Sequence, residues 1–416
     1  MFRLLGQRNF ALLWFAGLTS MIGDWVLFIA LPIYTYNLTQ SSLATGVMFM
    51  AGTLPRILLG SVAGVFVDRW DRKRTMVIAD LFRAVLLLLL LFVRSSEWIW
   101  IVYGVAFIQA IISQFFGPAE NALLPQLVDK SHLVAANSLN ALNNNLARLG
   151  GPALGGLLLG SFGFRNVVLI DSLSFLVSGL MIALIVQSSS VSESGNLNEQ
   201  AEESGSASPP KLWQDWLSGL RFILKSRVVS IIFFVIGIAS IGEGLFNVSF
   251  VIFIRENLSG GALEFGWLTS AQAIGGLIGG LMIGWIGSRI RPNRLAGLLA
   301  FNGVLILLLV NLGSLPLAIV LILLAGIPIV GFSVGVDTLL QQHVADRFRG
   351  RVFGALGTSM AIFVLFGQGL ASILGDRLGA VPLLDLKGML DILTGLFAFS
   401  LLYRLSNTPS KPDTNE

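Results

Sequence analysis

Four ionisable side chains, Asp24, Arg56, Arg148 and Glu243, stand deep inside long apolar runs. A charge in hydrocarbon is costly, so such groups survive where they face water, one another or a cargo. Asp24 lies about fourteen residues into its run, roughly 20 Å along a helix axis and close to mid-bilayer. The other three fall at similar depth. The proton affinity of a carboxylate depends on its burial and on any cation beside it. An arginine that alternately pairs with Asp24 or Glu243 and lets it go would therefore make a conformation-dependent proton carrier. Asn137, Asn144 and Arg148 share one helical stripe, with Asn140 nearby, as expected of a face turned to a water-filled path. Asp80 and Arg83 are one turn apart near the inner end of their run, where a local ion pair is expected. Asp171, Glu120 and Asp337 lie nearer the ends of theirs.

Positioning these groups requires membrane-spanning helices. The 416-residue chain is 55% hydrophobic and only 12% charged, too little charge to clothe a soluble protein of this length. Hydropathy and turn residues predict twelve transmembrane helices. They fall near 10–37, 43–67, 75–94, 97–124, 134–161 and 165–187, then near 228–254, 262–287, 294–312, 315–341, 350–377 and 382–405. The expected architecture is an all-α membrane protein of two six-helix bundles, residues 1–187 and 213–405. Between them, 188–212 is polar, acidic and rich in Ser and Gly, and reads as a disordered cytoplasmic linker. The second bundle is preceded by an amphipathic surface helix over Trp213–Arg227, and 406–416 forms a tail. The first apolar run is too long for a signal-peptide core and is expected to stay as the first span.

Lys and Arg concentrate in loops on one side, which puts both termini in the cytoplasm. The strongest such cluster is Asp68-Arg69-Trp70-Asp71-Arg72-Lys73-Arg74, between the second and third spans. The two halves also align. An offset of 220 superposes Gly60, Gly64, Arg69 and Arg74 on Gly280, Gly284, Arg289 and Arg294, and an offset of 219 superposes Gly23-Asp24 on Gly242-Glu243. Offset 216 places Asn121-Ala-Leu-Leu-Pro-Gln on Asp337-Thr-Leu-Leu-Gln-Gln. Six spans per repeat is an even number, so the halves insert in the same direction as parallel repeats.

The loop Gly64-x-x-x-Asp68-Arg69-x-Asp71-Arg72-Lys73 resembles the GxxxDRxGRR signature of the major facilitator superfamily, with Asp71 in place of glycine. Gly151-Pro152-Ala-Leu-Gly155-Gly156 is similar to the core of the drug:proton antiporter motif, whose upstream glycines are replaced here by Ser138 and Ala147. Asp346-Arg347-Phe-Arg349-Gly350-Arg351-Val-Phe353-Gly354 resembles the branch of the enterobactin exporter and macrolide efflux proteins. The resemblance implies the major facilitator fold. It also implies a gate in which Asp68 docks on the N-terminal end of span eleven, near Gly350–Phe353, while Arg72 reaches Glu120. The glycines around Pro152 either pack closely against a neighbouring helix or help prevent leak.

The absence of Cys and the presence of only two His residues, His132 and His343, exclude thiolate sites and argue against a histidine metal site. No cofactor is expected. The basic loops do not form a nucleic-acid face, no phosphate-cradling GxxxxGK[ST] loop is present, and an enzyme would need convergent catalytic groups that neither His has around it. The expected activity is secondary transport, namely proton-coupled export of an amphipathic small molecule across a bacterial inner membrane by a monomer. Uptake, uncoupled diffusion and lipid flipping are the alternatives.

Overall fold

In a computed structural model, the described residues are 2–60, 63–186, 227–286, 292–344 and 346–407. The expected linker and most of the expected surface helix lie outside them. Among the described residues the regular structure is helical, with no strand. The long helices are α1 (Arg8–Thr39), α2 (Ser42–Leu59), α3 (Ala63–Arg69), α4 (Arg72–Leu88), α5 (Ile99–Leu127) and α6 (Leu133–Ala183), followed by α7 (Arg227–Glu256), α8 (Ala262–Ile286), α9 (Pro292–Asn311), α10 (Leu315–His343), α11 (Asp346–Leu378) and α12 (Ala380–Asn407). Together α2 and α3 make one span, and α6 makes two. That gives twelve crossings at the expected positions to within a few residues.

Local chemistry places the breaks. Asp71, the residue that departs from the signature, N-caps α4: its Oδ1 accepts from the Arg74 N–H at 2.7 Å. Beyond the other end of α6, Lys73 Nζ donates to the Ile185 carbonyl at 2.7 Å, placing a cation where carbonyls are left over. α6 folds back at Gly163, with φ 75° and ψ 168°, a conformation essentially restricted to glycine. Its counterpart 216 residues later, Gly379, has φ 79° and is the sole residue between α11 and α12. The repeat thus reaches down to its turn residues.

Contacts divide the chain into two compact units, one of Met1–Gln40 with Met48–Leu217, the other of Ser41–Val47 with Ser218–Glu416. In the first, α1 packs along α6, α4 lies against α5 and α6, and α3 against α5. The second repeats this pattern: α7 packs on α11 and α12, α9 on α10 and α12, and α8 on α10. The short segment 41–47 belongs to the second unit because Asp376 caps it. Asp376 Oδ1 accepts from the Ser42 N–H at 2.6 Å and its Oδ2 from the Ser41 hydroxyl at 3.0 Å.

Candidate functional site

Four helices of the first unit converge on Arg83. From α4 its guanidinium donates to the Ser113 hydroxyl of α5 at 2.5 Å, and lies over the rings of Phe116 (α5) and Phe175 (α6) at 5.3 and 5.2 Å. Asp24 of α1 stands 3.9 Å away, beyond hydrogen-bond length, with its side chain 44% exposed while that of Arg83 is 3% exposed. Asp24 is thus a half-exposed carboxylate halfway along a predicted span.

The expected local pair between Asp80 and Arg83 does not form. Both point inward from α4, but Asp80 accepts from the Ser178 hydroxyl of α6 at 2.6 Å, and Arg83 turns to Asp24 and Ser113 instead. One turn of helix brings the two backbones together, but the rings of Phe116 and Phe175 draw the planar guanidinium away. Asp171 of α6 is fully buried, accepts from Ser174 at 3.2 Å, and keeps Oδ2 without a partner. It presses on Gly23 so closely that a Cβ there would collide with it.

The remaining sequence candidates are spread more widely. Arg56, Asn144 and Arg148 are exposed, and among the described residues Arg56 and Arg148 form no ion pair. Asn137, Asn144 and Arg148 do share an exposed face of α6, and Asn144 donates back to the Asn140 carbonyl at 3.0 Å. Glu120 does not meet Arg72: its Oε1 lies 3.4 Å from where a Gly17 Cβ would stand, and Arg72 Nε is buried without a partner. α5 turns Glu120 toward α1, out of reach of a side chain at the start of α4. The side chain of Asp68 lies outside the described set. Gly64 has open space around it, and Arg69 is exposed. Arg349 donates to the Gln341 carbonyl at 2.9 Å. Gly151, Pro152, Gly155 and Gly156 are buried; a Cβ at Gly151 would lie 2.5 Å from Trp25 Cβ, and one at Gly155 2.9 Å from Val26 Cα. This motif sets how closely α6 approaches α1.

The second unit contains a cavity of about 220 Å³. Its walls are mainly apolar, with Phe332 and Met360 among them, and Glu243 and Asp337 also line it. On the same cavity, Lys387 and Asp391 of α12 form an ion pair at 2.5 Å with side chains 5% and 2% exposed, and Asn302 of α9 donates to Asp391 at 2.7 Å. Sequence reasoning missed Asn302, Lys387 and Asp391. The available signal was a lysine four residues before an aspartate in the middle of the last apolar run, but it says nothing of a third partner 89 residues away.

The sequence profile described as transmembrane secretion effector matches residues 2–377. Macrolide efflux protein A of Streptococcus pyogenes is 25% identical over 394 residues, covering 93% of this chain and 94% of its own length. The multidrug efflux pump Tap of Mycolicibacterium fortuitum is 27% identical over 387 residues, covering 88% and 89%. Among solved structures, a bacterial homologue of the iron transporter ferroportin in an inward-facing state superposes with a TM-score of 0.74 at 15% identity over 96% of this chain and 99% of that one. The nucleoside transporter NupG gives 0.73 at 12% identity over 95% and 99%. A twelve-span fold in two repeats, acids and arginines inside the spans, and a match over nine-tenths of its length place this chain in the transmembrane secretion effector family of major facilitator superfamily transporters.

Proposed function

We propose that this transporter exports an amphipathic small molecule in exchange for protons, by alternating access across a bacterial plasma membrane. It acts as a monomer with both termini in the cytoplasm. The observation that carries the proton coupling is Asp24: a half-exposed mid-span carboxylate, 3.9 Å from a buried guanidinium that is already held by Ser113 and two rings. At that distance the pair is loose. Asp24 can take up a proton without leaving Arg83 unsupported, and Arg83 favours the charged form of Asp24 when it moves nearer. Glu243 is the repeat counterpart of Asp24 and lines the cavity of the second unit. Export of drug-like molecules is supported by the efflux relatives, of which the macrolide and multidrug pumps are two.

The test uses inverted membrane vesicles, acid inside, with radiolabelled erythromycin and the dye ethidium as probes. The native protein should accumulate at least one of them in a gradient-dependent way. Asp24→Asn should keep gradient-free exchange but lose accumulation, with Glu243→Gln as its partner. Accumulation that ignores the gradient in native protein would refute coupling; normal coupling in both variants would refute the site. The signature loop would act as a conformational lock through Asp68, so Asp68→Asn should slow turnover more than it weakens binding. Unchanged turnover removes the lock.

A further inference from the structure

The acid at Asp171 recurs 220 residues later as Asp391, and the recurrence extends to its surroundings. In the first unit Asp171 presses on Gly23, beside Asp24. In the second, Lys387 presses on Gly242, beside Glu243, with Asp391 in ordinary contact: a Cβ at Gly242 would lie 3.2 Å from Lys387 Cγ and 3.6 Å from Asp391 Oδ1. Each unit thus sets two acids and one cation around a glycine. The cation comes from the third span in one unit (Arg83) and from the twelfth in the other (Lys387).

We propose that Asp391, with Lys387 and Asn302, is a second proton-exchanging site, opening on the cavity of the C-terminal unit. Its place in the transport cycle rests on the proton-coupled reading above. A buried Lys–Asp pair alone would be an ordinary structural pin. Here Asn302 argues otherwise: it is 3% exposed, lines the cavity, and donates Nδ2 to Asp391 while its Oδ1 has no partner. A Lys–Asp pin needs only its two charges, whereas Asn302 adds a donor from another helix and keeps an acceptor that no protein group uses. An amide carries both a donor and an acceptor, so it can serve a carboxylate in both protonation states. With Asp391 charged, Asn302 donates to it. When a proton from cavity water adds to Asp391, the Asn302 amide turns over and the new O–H donates to its Oδ1. Lys387 then leaves Asp391, still an ammonium, and faces the cavity. Loss of the proton to cavity water reverses each step.

Among the described residues, three charged groups line the cavity beside Asp391. Glu243 comes from α7, Asp337 from α10 and Lys387 from α12 itself, while α9 contributes neutral Asn302. The α11 residues on the cavity, Leu356, Met360 and Val364, do not titrate.

The experiment is infrared difference spectroscopy of the full-length protein in liposomes as the pH is stepped from neutral to acid, with no transported ligand required. The native protein should develop a carboxylic C=O band that Asp391→Asn lacks. Lys387→Gln should retain the band but change the pH at which it appears. Superimposable difference spectra for native protein and Asp391→Asn would overturn the proposal. Should that variant fail to insert, a band insensitive to Lys387→Gln overturns it equally. Gradient-driven erythromycin uptake into vesicles separates this from the parent reading. Uptake without the Asp391 band removes this site alone, whereas a band without gradient-driven uptake removes the coupling.

Discussion

Replacing Arg83 separates charge from shape as the source of cohesion in the first unit. Its guanidinium makes one short hydrogen bond to Ser113 and covers two ring faces, with the side chain 3% exposed. A hydrogen bond from a charged group contributes about 1.5–3 kcal/mol, and each desolvated cation–π contact up to about 2 kcal/mol. Burying the ion costs several kcal/mol, roughly the same amount with opposite sign. Arg83→Met removes both sides of this balance, leaves Asp24 half-exposed, leaves the buried acids Asp80 and Asp171 to their partners Ser178 and Ser174, and leaves Ser113 still donating to the Gln109 carbonyl at 3.0 Å. We expect its stability to stay within about 2 kcal/mol of native. Arg83→Lys keeps a buried, more strongly hydrated charge but loses the plane that stacks on both rings while reaching Ser113. We expect it to lose about 3 kcal/mol. The assay is unfolding in mixed micelles titrated with a denaturing detergent, followed by far-UV circular dichroism. The conservative replacement should be the more damaging one. If Lys is tolerated while Met costs more than about 4 kcal/mol, charge alone holds the bundle and the geometric reasoning is wrong. In vesicles Arg83→Met should lose gradient-dependent accumulation, because it presents no cation to Asp24.

Two further perturbations bear on the frame. Gly155→Ala puts a methyl 2.9 Å from the Val26 backbone, which cannot move aside as a side chain can. It should cost about 1–3 kcal/mol, and Gly155→Val should prevent a monodisperse peak in fluorescence-detected size exclusion; native behaviour of both would show that α1 and α6 do not pack this tightly. Gly163→Ala and Gly379→Ala each force a residue with a Cβ into a positive-φ turn, at about 1–3 kcal/mol. Because these turns are equivalent in the repeat, the two losses should match in the unfolding assay, and a loss at only one would refute the equivalence.

Much of the frame is readable along the chain. The twelve spans follow from hydropathy, a local property that needs no partner. The repeat shows because Gly23-Asp24 and Gly242-Glu243 keep their neighbours, and Asp24 stands out because a charge within an apolar run is conspicuous wherever it later points. Asp71 stands out along the chain only as the residue that replaces the signature's glycine; that it caps α4 is shown by the structure.

Partners are a different matter, since they depend on how helices far apart in sequence are rotated against one another. A turn of spacing paired Asp80 with Arg83, yet packing gave Arg83 to Asp24, Ser113 and two rings, and Asp80 to Ser178. Arg72 and Glu120 carry opposite charges, but α5 turns Glu120 toward Gly17. Asn302 has no sequence mark at all; only the packing of α9 against α12 makes it the third member of a site with Lys387 and Asp391. The chain by itself determined which helices cross the membrane and which carry charge, because each segment's burial in lipid is decided residue by residue. Tertiary structure alone decided which charges meet, because that depends on helix rotation, and glycines such as Gly23, Gly155 and Gly242 govern it through contacts with residues more than a hundred positions away.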